Sequence, residues 1–324
     1  MFDVVGFGNS VLDITVDIED EFLAQNNLTK GNFLLIGDSD SKKFDELLKE
    51  KKTIRFPGGS VSNIIAGIAL LGGNTAYIGG VGDDEHGKEY LEKTVNTGVS
   101  DLFIQKKGAT GKCLTFITKD GERTFAVNLG QCNFVSQEEI NTGFETKIML
   151  IEGYKLEHDV DYHTAVKLVK YAKQIGAKVA LDVNDAGVIK RLGDKLVDFV
   201  KEYVDILFMN EDEAEALTGF MDEKALTTLE KICELTVLKV GEKGSFVRTN
   251  NETLKVMPKK VDLVVNTNGA GDAYAAAFLF GIINKMTLAK IGELASKFAA
   301  CVVSKQEARL MSLPEEIKAL TMVK

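Results

Sequence analysis

The stretch Asn266-Thr267-Asn268-Gly269-Ala270-Gly271-Asp272 combines a glycine-rich turn with a single carboxylate. It follows the run Val261–Val265 and precedes Ala273–Ile283, a long apolar sequence of small residues that reads as a helix. A glycine-rich turn at a helix N-terminus leaves backbone N–H groups unpaired and aims the positive end of the helix dipole at an anion. An aspartate is out of place there if the turn serves only to attract phosphate. It makes sense if Asp272 accepts a proton from a hydroxyl attacking a phosphoryl group held by Gly269, Ala270 and Gly271. The plain alternative is an aspartate that caps the helix. Only His86, His158 and His163 could supply an imidazole, so a carboxylate is a natural base.

Two other glycine patterns carry less. Gly6-Phe7-Gly8 after the first apolar run fails as a dinucleotide fingerprint, because the third glycine falls at Val11. Gly82 to Lys88 matches most of a P-loop, but Glu89 stands where a hydroxyl should meet magnesium, and Asp83, Asp84 and Glu85 would repel phosphate. That segment reads as a turn entering a helix.

The elements that must position Asp272 alternate along the chain. Short apolar runs at Asp3–Gly8, Thr75–Gly79, Lys147–Ile151, Lys178–Asp182 and Ile206–Met209 read as strands. Between them, Ser60–Leu71, Gly87–Thr97, Asp161–Gln174 and Leu192–Tyr203 read as helices. This alternation predicts a doubly wound, mainly parallel sheet flanked by helices. Residues 10–36 and 112–128 interrupt it. In the second, Cys113–Thr118 and Arg123–Asn128 flank Lys119-Asp120-Gly121-Glu122, a hairpin signal. The expectation is one domain over residues 1–324 with a small inserted β-sheet that serves as a lid over the carboxyl ends of the parallel strands.

Composition narrows the function classes. With 324 residues, 45% hydrophobic and 27% charged, the chain can bury a sizeable core. A formal net charge of −9 with no basic patch argues against nucleic acid, so an anionic ligand must be held by local N–H groups or a few placed cations. Four scattered cysteines with no metal spacing read as reduced core thiols. No basic leader or membrane-length apolar run is found, and a cytoplasmic protein is expected.

Four ordered motifs resemble those of the ribokinase-like (PfkB) family over nearly the whole chain. The first signature is similar to Pro57-Gly58-Gly59-Ser60-Val61-Ser62-Asn63, running through Leu71-Gly72-Gly73 to Ile78–Gly87. The second is similar to Thr267–Asp272 with the helix after it. Asn210-Glu211-Asp212-Glu213 is similar to the family's N-x-x-E, and Gly241-Glu242-Lys243-Gly244 to its nucleotide-binding glycines. Within the family, Gly8-Asn9-Ser10-Val11-Leu12-Asp13, Thr110-Gly111-Lys112-Cys113 and Gly121-Glu122-Arg123-Thr124 resemble the adenosine kinase-like branch.

The resemblance implies ATP-dependent phosphoryl transfer to the primary hydroxyl of a purine ribonucleoside, adenosine foremost, with a ribose- or fructose-type carbohydrate kinase as the alternative. Asp272 would be the base and Gly269, Ala270 and Gly271 the anion hole, with Arg123 brought onto the transferred group by lid closure. Asp13 and Asn63 would bond the sugar hydroxyls, with the Gly58–Gly59 backbone close by. Asn9, Val11, Cys113, Phe125 and Val127 would contact the rest of the acceptor. Asn210, Glu213, Lys239, Gly241 and Gly244 would serve ATP, with Glu213 acting on Mg²⁺ indirectly. A monovalent cation such as K⁺ is a further implied cofactor, and partners reduce to small molecules, with a monomer or a homodimer both open. Three departures stand out: Asn266 replaces a usual aspartate, Lys239 a threonine, and Glu307-Ala308-Arg309 a usual Gly-Ala-Arg.

Overall fold

The computed structural model describes residues 1–249 and 252–321. In chain order the strands are β1 (Phe2–Phe7), β2 (Val11–Asp17), β3 (Phe33–Leu35), β4 (Thr53–Pro57), β5 (Thr75–Ile78), β6 (Gly80–Gly82), β7 (Ser100–Asp101) and β8 (Ile104–Lys106). They continue with β9 (Gly111–Ile117), β10 (Arg123–Asn128), β11 (Thr146–Glu152), β12 (Lys178–Asp182), β13 (Ile206–Asn210), β14 (Leu235–Lys239), β15 (Ser245–Thr249) and β16 (Thr253–Val256).

Nine strands form the main sheet in the order β16-β15-β14-β13-β12-β11-β1-β5-β7. Pairing is parallel from β7 to β14 and antiparallel for β14–β15 and β15–β16. The parallel strands are rich in Val, Ile and Leu because helices cover both faces. One face packs Val4, Leu150, Phe208 and Val237 against helices Ser60–Leu70, Ala270–Ile283 and Leu288–Val303. The other packs Val5, Ile151, Leu181 and Leu207 against helices Asp159–Gln174 and Asp194–Tyr203. Helix Ala270–Ile283 is buried from Ala273 to Gly281, which is why its sequence is apolar all round. Phe278 in its middle is fully buried, so truncation to alanine would cost about 3–5 kcal/mol.

A second sheet has five strands in the order β3-β10-β9-β2-β4. The Asp-Gly hairpin joins β9 and β10 in antiparallel register, with Val127 opposite Cys113. Leu12, Ile14, Leu114, Phe116 and Ala126 are buried under Leu23, Phe44 and Leu48 of the helices Asp20–Gln25 and Asp38–Leu48. Strand alternation turns Val11, Asp13, Cys113, Phe125 and Val127 to the opposite face. The small sheet is wider than the two interrupted segments alone, because Thr53–Pro57 pairs with β2 and leads directly into Gly58.

One local expectation is adjusted, that of a single helix over Leu192–Tyr203, and one is met, that of a turn entering a helix at Gly82–Lys88. The Val261–Val265 run makes no ladder. Val261 and Val264 line a cavity instead, while Leu263 is exposed. The helix expected over Leu192–Tyr203 is two helices, Ala186–Leu192 and Asp194–Tyr203, broken at Gly193 with φ 53°. The turn over Gly82–Lys88 enters helix Glu85–Val95 with Asp84 as its N-cap, its carboxylate accepting the Gly87 N–H at 2.9 Å. Among the described residues, no helix is long and apolar enough to cross a membrane.

Candidate active site

Asp272 lies in the first turn of helix Ala270–Ile283, but it does not cap it. The N-cap is Gly269, in the left-handed conformation with φ 78°. A Cβ there would collide with the Ala308 carbonyl, so both the backbone angle and the close approach demand glycine. Freed from capping, the Asp272 carboxylate accepts from Ser60 Oγ at 2.6 Å and from Asn63 Nδ2 at 2.9 Å. Burial pushes its carboxyl up to about 6, against those two hydrogen bonds, which pull it down.

The carboxyl ends of neighbouring parallel strands bring the other polar groups alongside. Asn9 follows β1, Glu152 ends β11, Asp182 ends β12, Asn210 ends β13 and Lys239 ends β14. Order reverses at β1, between β11 and β5, where open α/β sheets form their ligand crevice. Glu152 accepts the N–H groups of Asn9 at 3.2 Å and Val61 at 3.3 Å, and burial pushes its carboxyl up to about 7 against the pull of Lys155.

A cavity of about 980 Å³ opens on one side of Asp272. Its wall includes Asn9, Val11, Gly59, Ser60, Val127 and Glu152, and its outer part Phe33, Leu35, Tyr154 and His158. Asp13 sits beneath Gly58, where any Cβ would collide with its carboxylate. Burial pushes Asp13 up to about 7, opposed by the Arg309 guanidinium and reinforced by the charge of Asp272. Cys113 is beside Asp13 across the β2–β9 register, and burial pushes its thiol up. Phe125 pairs with Phe33 on the face shared with Val127, without lining the cavity itself.

A second cavity, about 920 Å³, lies on the other side. Asn210, Lys239, Gly241, Gly244, Ala270 and Gly271 line it, with Val256, Val264 and Tyr274 as apolar or aromatic wall. Lys239 Nζ is 3.1 Å from Asp182 Oδ2 and 3.3 Å from where a Gly271 Cβ would stand. Although burial works against it, Asp182 and Glu213 hold the Lys239 ammonium above its ordinary value. Glu213 is drawn inward: its oxygens accept Asn210 N at 2.9 Å and Asn210 Nδ2 at 2.7 Å in a reciprocal capping box. Burial pushes its carboxyl up to about 7, against Lys239.

Arg123, from the start of β10, crosses to the glycine-rich turn. Its Nη1 donates to Asn266 Oδ1 at 2.7 Å. The same oxygen accepts Asn268 N at 3.0 Å, and Asn266 Nδ2 donates to Gln306 O at 2.7 Å. Arg309 Nη2 donates to Pro57 O, tying the segment after helix Leu288–Val303 to the chain just before Gly58.

The expected residues thus gather about one point, with Asn9, Val11, Asp13, Gly58, Gly59 and Asn63 on one side and Asn210, Lys239, Gly241 and Gly244 on the other. Sequence reasoning missed Ser60, Glu152, Asp182 and Arg309, and with them Asn184, whose Nδ2 donates to Ser60 Oγ at 2.7 Å. Glu152 and Asp182 each close an apolar strand, and a carboxylate at that position was a signal available in the sequence.

A nine-stranded α/β sheet carrying two cavities about a glycine-rich helix start is the architecture of the ribokinase-like kinases. The chain belongs to the pfkB family of carbohydrate kinases, whose pattern matches residues 31–316. It is 30% identical over 303 residues to the adenosine kinase of Saccharomyces cerevisiae, covering 86% of this chain and 88% of that protein. The adenosine kinase from Sinorhizobium meliloti superposes with a TM-score of 0.86 at 29% identity, covering 98% of each chain. A probable sugar kinase from Rhizobium etli superposes with a TM-score of 0.84 at 28% identity, covering 96% of each. The chain is a kinase, and its family implies ATP as the phosphoryl donor.

Proposed function

We propose that the chain transfers the γ-phosphoryl group of ATP to the 5′-hydroxyl of a purine ribonucleoside, most readily adenosine. The observation that carries this reading is the acceptor-side cavity: about 980 Å³, walled by Val11, Val127, Leu129, Phe33 and Leu35, and ending at Ser60 beside Asp272. That volume and apolar wall suit a purine base as well as a sugar. Asp13 and Asn63 take the ribose hydroxyls, because a carboxylate can accept from two vicinal O–H groups. Asn9 completes the wall, Cys113 and Phe125 stand on the same face of the small sheet as Val11 and Val127, and the Gly58–Gly59 backbone lies against the sugar.

ATP occupies the second cavity, with Asn210, Gly241 and Gly244 about the nucleotide and Lys239 toward its phosphates. Asp272 removes the proton of the attacking hydroxyl. The N–H groups at Gly269 and Gly271 and the Arg123 guanidinium take up charge on the transferred group, joined by the Ala270 N–H once it leaves the Thr267 carbonyl, to which it donates at 3.2 Å. For Arg123 this means leaving Asn266.

Both oxygens of Glu213 are bonded to Asn210, so this side chain fits a Mg²⁺ ion carried by the phosphates only through water. Such an ion supplies neutralisation of the phosphate charge. A monovalent cation finds no ligand in Asn266, whose side-chain oxygen already accepts two hydrogen bonds and whose amide donates to Gln306.

The small sheet serves as a lid, with Gly58 and Gly59 at its hinge. A carbohydrate acceptor is the second reading, favoured by one observation. The buried Glu152 carboxylate lines the same cavity and would suit a sugar hydroxyl better than a purine ring. The test is ADP release from ATP–Mg²⁺ with adenosine, inosine, guanosine, ribose and fructose. Fast turnover of a nucleoside is expected. Turnover of ribose or fructose far above any nucleoside would overturn the acceptor and keep the chemistry.

A further inference from the structure

The Ser60 hydroxyl that bonds Asp272 is itself held from behind. Asn184 Nδ2 donates to Ser60 Oγ at 2.7 Å, and Asn184 Oδ1 accepts the Gly153 N–H at 2.8 Å. Asn184 follows β12 and adopts φ 73°, a left-handed conformation that asparagine takes more readily than other non-glycine residues. The line Gly153–Asn184–Ser60–Asp272 therefore joins the end of β11, the turn after β12 and the starts of two helices.

We propose that Asn184 is a positioning residue for the base, acting through Ser60. The proposal rests on the reading of Asp272 as that base. A serine hydroxyl has one proton and a free rotor, so its direction depends on what occupies its lone pairs. With the Asn184 amide donating to the Ser60 oxygen, the proton of Ser60 is left to point at Asp272 Oδ1, 2.6 Å away. The Asn184 amide cannot turn over, because its oxygen is fixed by the Gly153 N–H. Asn63 holds the other carboxylate oxygen, so Asp272 is fixed at both ends with lone pairs left for the incoming hydroxyl. Both donors favour the ionised carboxylate, which is the form that accepts a proton.

The charged groups facing Asp272 come from four strands: Asp13 on β2, Glu152 on β11, Asp182 on β12 and Lys239 on β14. Asn184→Gly replaces none of them, and from Asp182 it takes one long hydrogen bond, that of Asn184 Nδ2 to Asp182 Oδ1 at 3.5 Å. Glycine accepts the left-handed backbone freely and keeps the Asn184 N–H that donates to Asp182 Oδ1 at 3.3 Å, so the variant removes the amide side chain with its bonds to Ser60, Gly153 and Asp182, and the Ser60→Ala background separates the first from the other two.

The experiment measures kcat and KM against pH for the wild type, Asn184→Gly, Ser60→Ala, the double variant and Asp272→Asn. The acceptor is whichever of adenosine, inosine, guanosine, ribose and fructose turns over fastest. Asn184→Gly is expected to lower kcat about tenfold, as loss of directed hydrogen bonding to a charged group does, with acceptor KM within about twofold. Its acid limb of kcat moves to higher pH, and it adds nothing further in the Ser60→Ala background. An unmoved limb, a loss confined to KM, or the same tenfold drop with Ser60 already gone would overturn the proposal. Should Asp272→Asn retain full turnover, the base reading falls and the relay with it. With Asp272→Asn inactive and the Asn184→Gly limb in place, only the relay falls.

Discussion

Asp272 is caught between catalysis and stability. In the proposed mechanism its ionised form accepts the proton, yet burial favours the neutral form and lifts the carboxyl to about 6. The value lies above that of an unfolded aspartate, so the folded state binds the proton more tightly. The stabilisation is fully present below about pH 4 and is lost as pH rises toward 6. Activity runs the other way, so kcat/KM of the free enzyme should climb with pH through an acid limb near 6, read from a pH–rate profile. Asp13, Glu152 and Glu213, each lifted to about 7, add to the same stability slope. Thermal melts should therefore give a higher Tm at pH 5.5 than at pH 8, and a Tm that rises with pH across this window would contradict the assignment. Asp272→Asn should lower kcat by about three orders of magnitude while melting no lower than wild type at pH 8. Asn63 can accommodate the new amide, because its buried Oδ1 has no partner among the described residues and can turn to accept.

The glycine-rich turn and the hairpin act as units. Gly269 has φ 78° and lies against Ala308, so Gly269→Ala forces the turn away from the N-terminus of its helix. The expected result is loss of most turnover together with a destabilisation of about 1–3 kcal/mol, checked by denaturant melts alongside kinetics. A variant that melts lower but turns over normally would remove the anion hole from the mechanism. The turn itself was readable, since glycines before a small-residue helix point to helix N–H groups whatever the surroundings. The direction of the Asp272 side chain was not. N-cap and first-turn aspartates look alike in sequence, and only the packing of helix Ser60–Leu70 against helix Ala270–Ile283 brings Ser60 and Asn63 to its oxygens. The apolar Val261–Val265 run makes no ladder for a related reason: Val261 and Val264 stand on the wall of a cavity that local pattern does not show.

Ser60, on the wall of the acceptor-side cavity, bonds Asp272, the neighbour of Gly271 on the wall of the other, and the small sheet contributes Val11, Phe33, Leu35 and Val127 to the first. If that sheet closes as a lid, acceptor binding should slow hydrogen exchange across residues 10–36 and 112–128. Exchange should also slow in Thr53–Pro57, which pairs with β2 and would move with it. Unchanged exchange in all three segments with saturating acceptor would remove the closure step and leave a rigid cleft. The Arg123–Asn266 bond gives the movement an internal contact to break, 2.7 Å long between the small sheet and the anion turn.

Periodicity and turn chemistry are local, so the alternating α/β order, the Asp-Gly hairpin and the glycine turn before a helix could all be read along the chain. The family's ordered motifs extended that reading to Asp13, Asn63, Asn210 and Glu213. Contacts between residues far apart could not be read in this way. Ser60 and Asp272 are separated by 212 positions, and Arg123 and Asn266 by 143. Nothing in the local pattern of Glu152, Asp182, Asn184 or Arg309 says that strand ends and helix starts converge on the same carboxylate. Their roles emerge only when parallel strands align their carboxyl ends and burial sets how strongly each charge is felt.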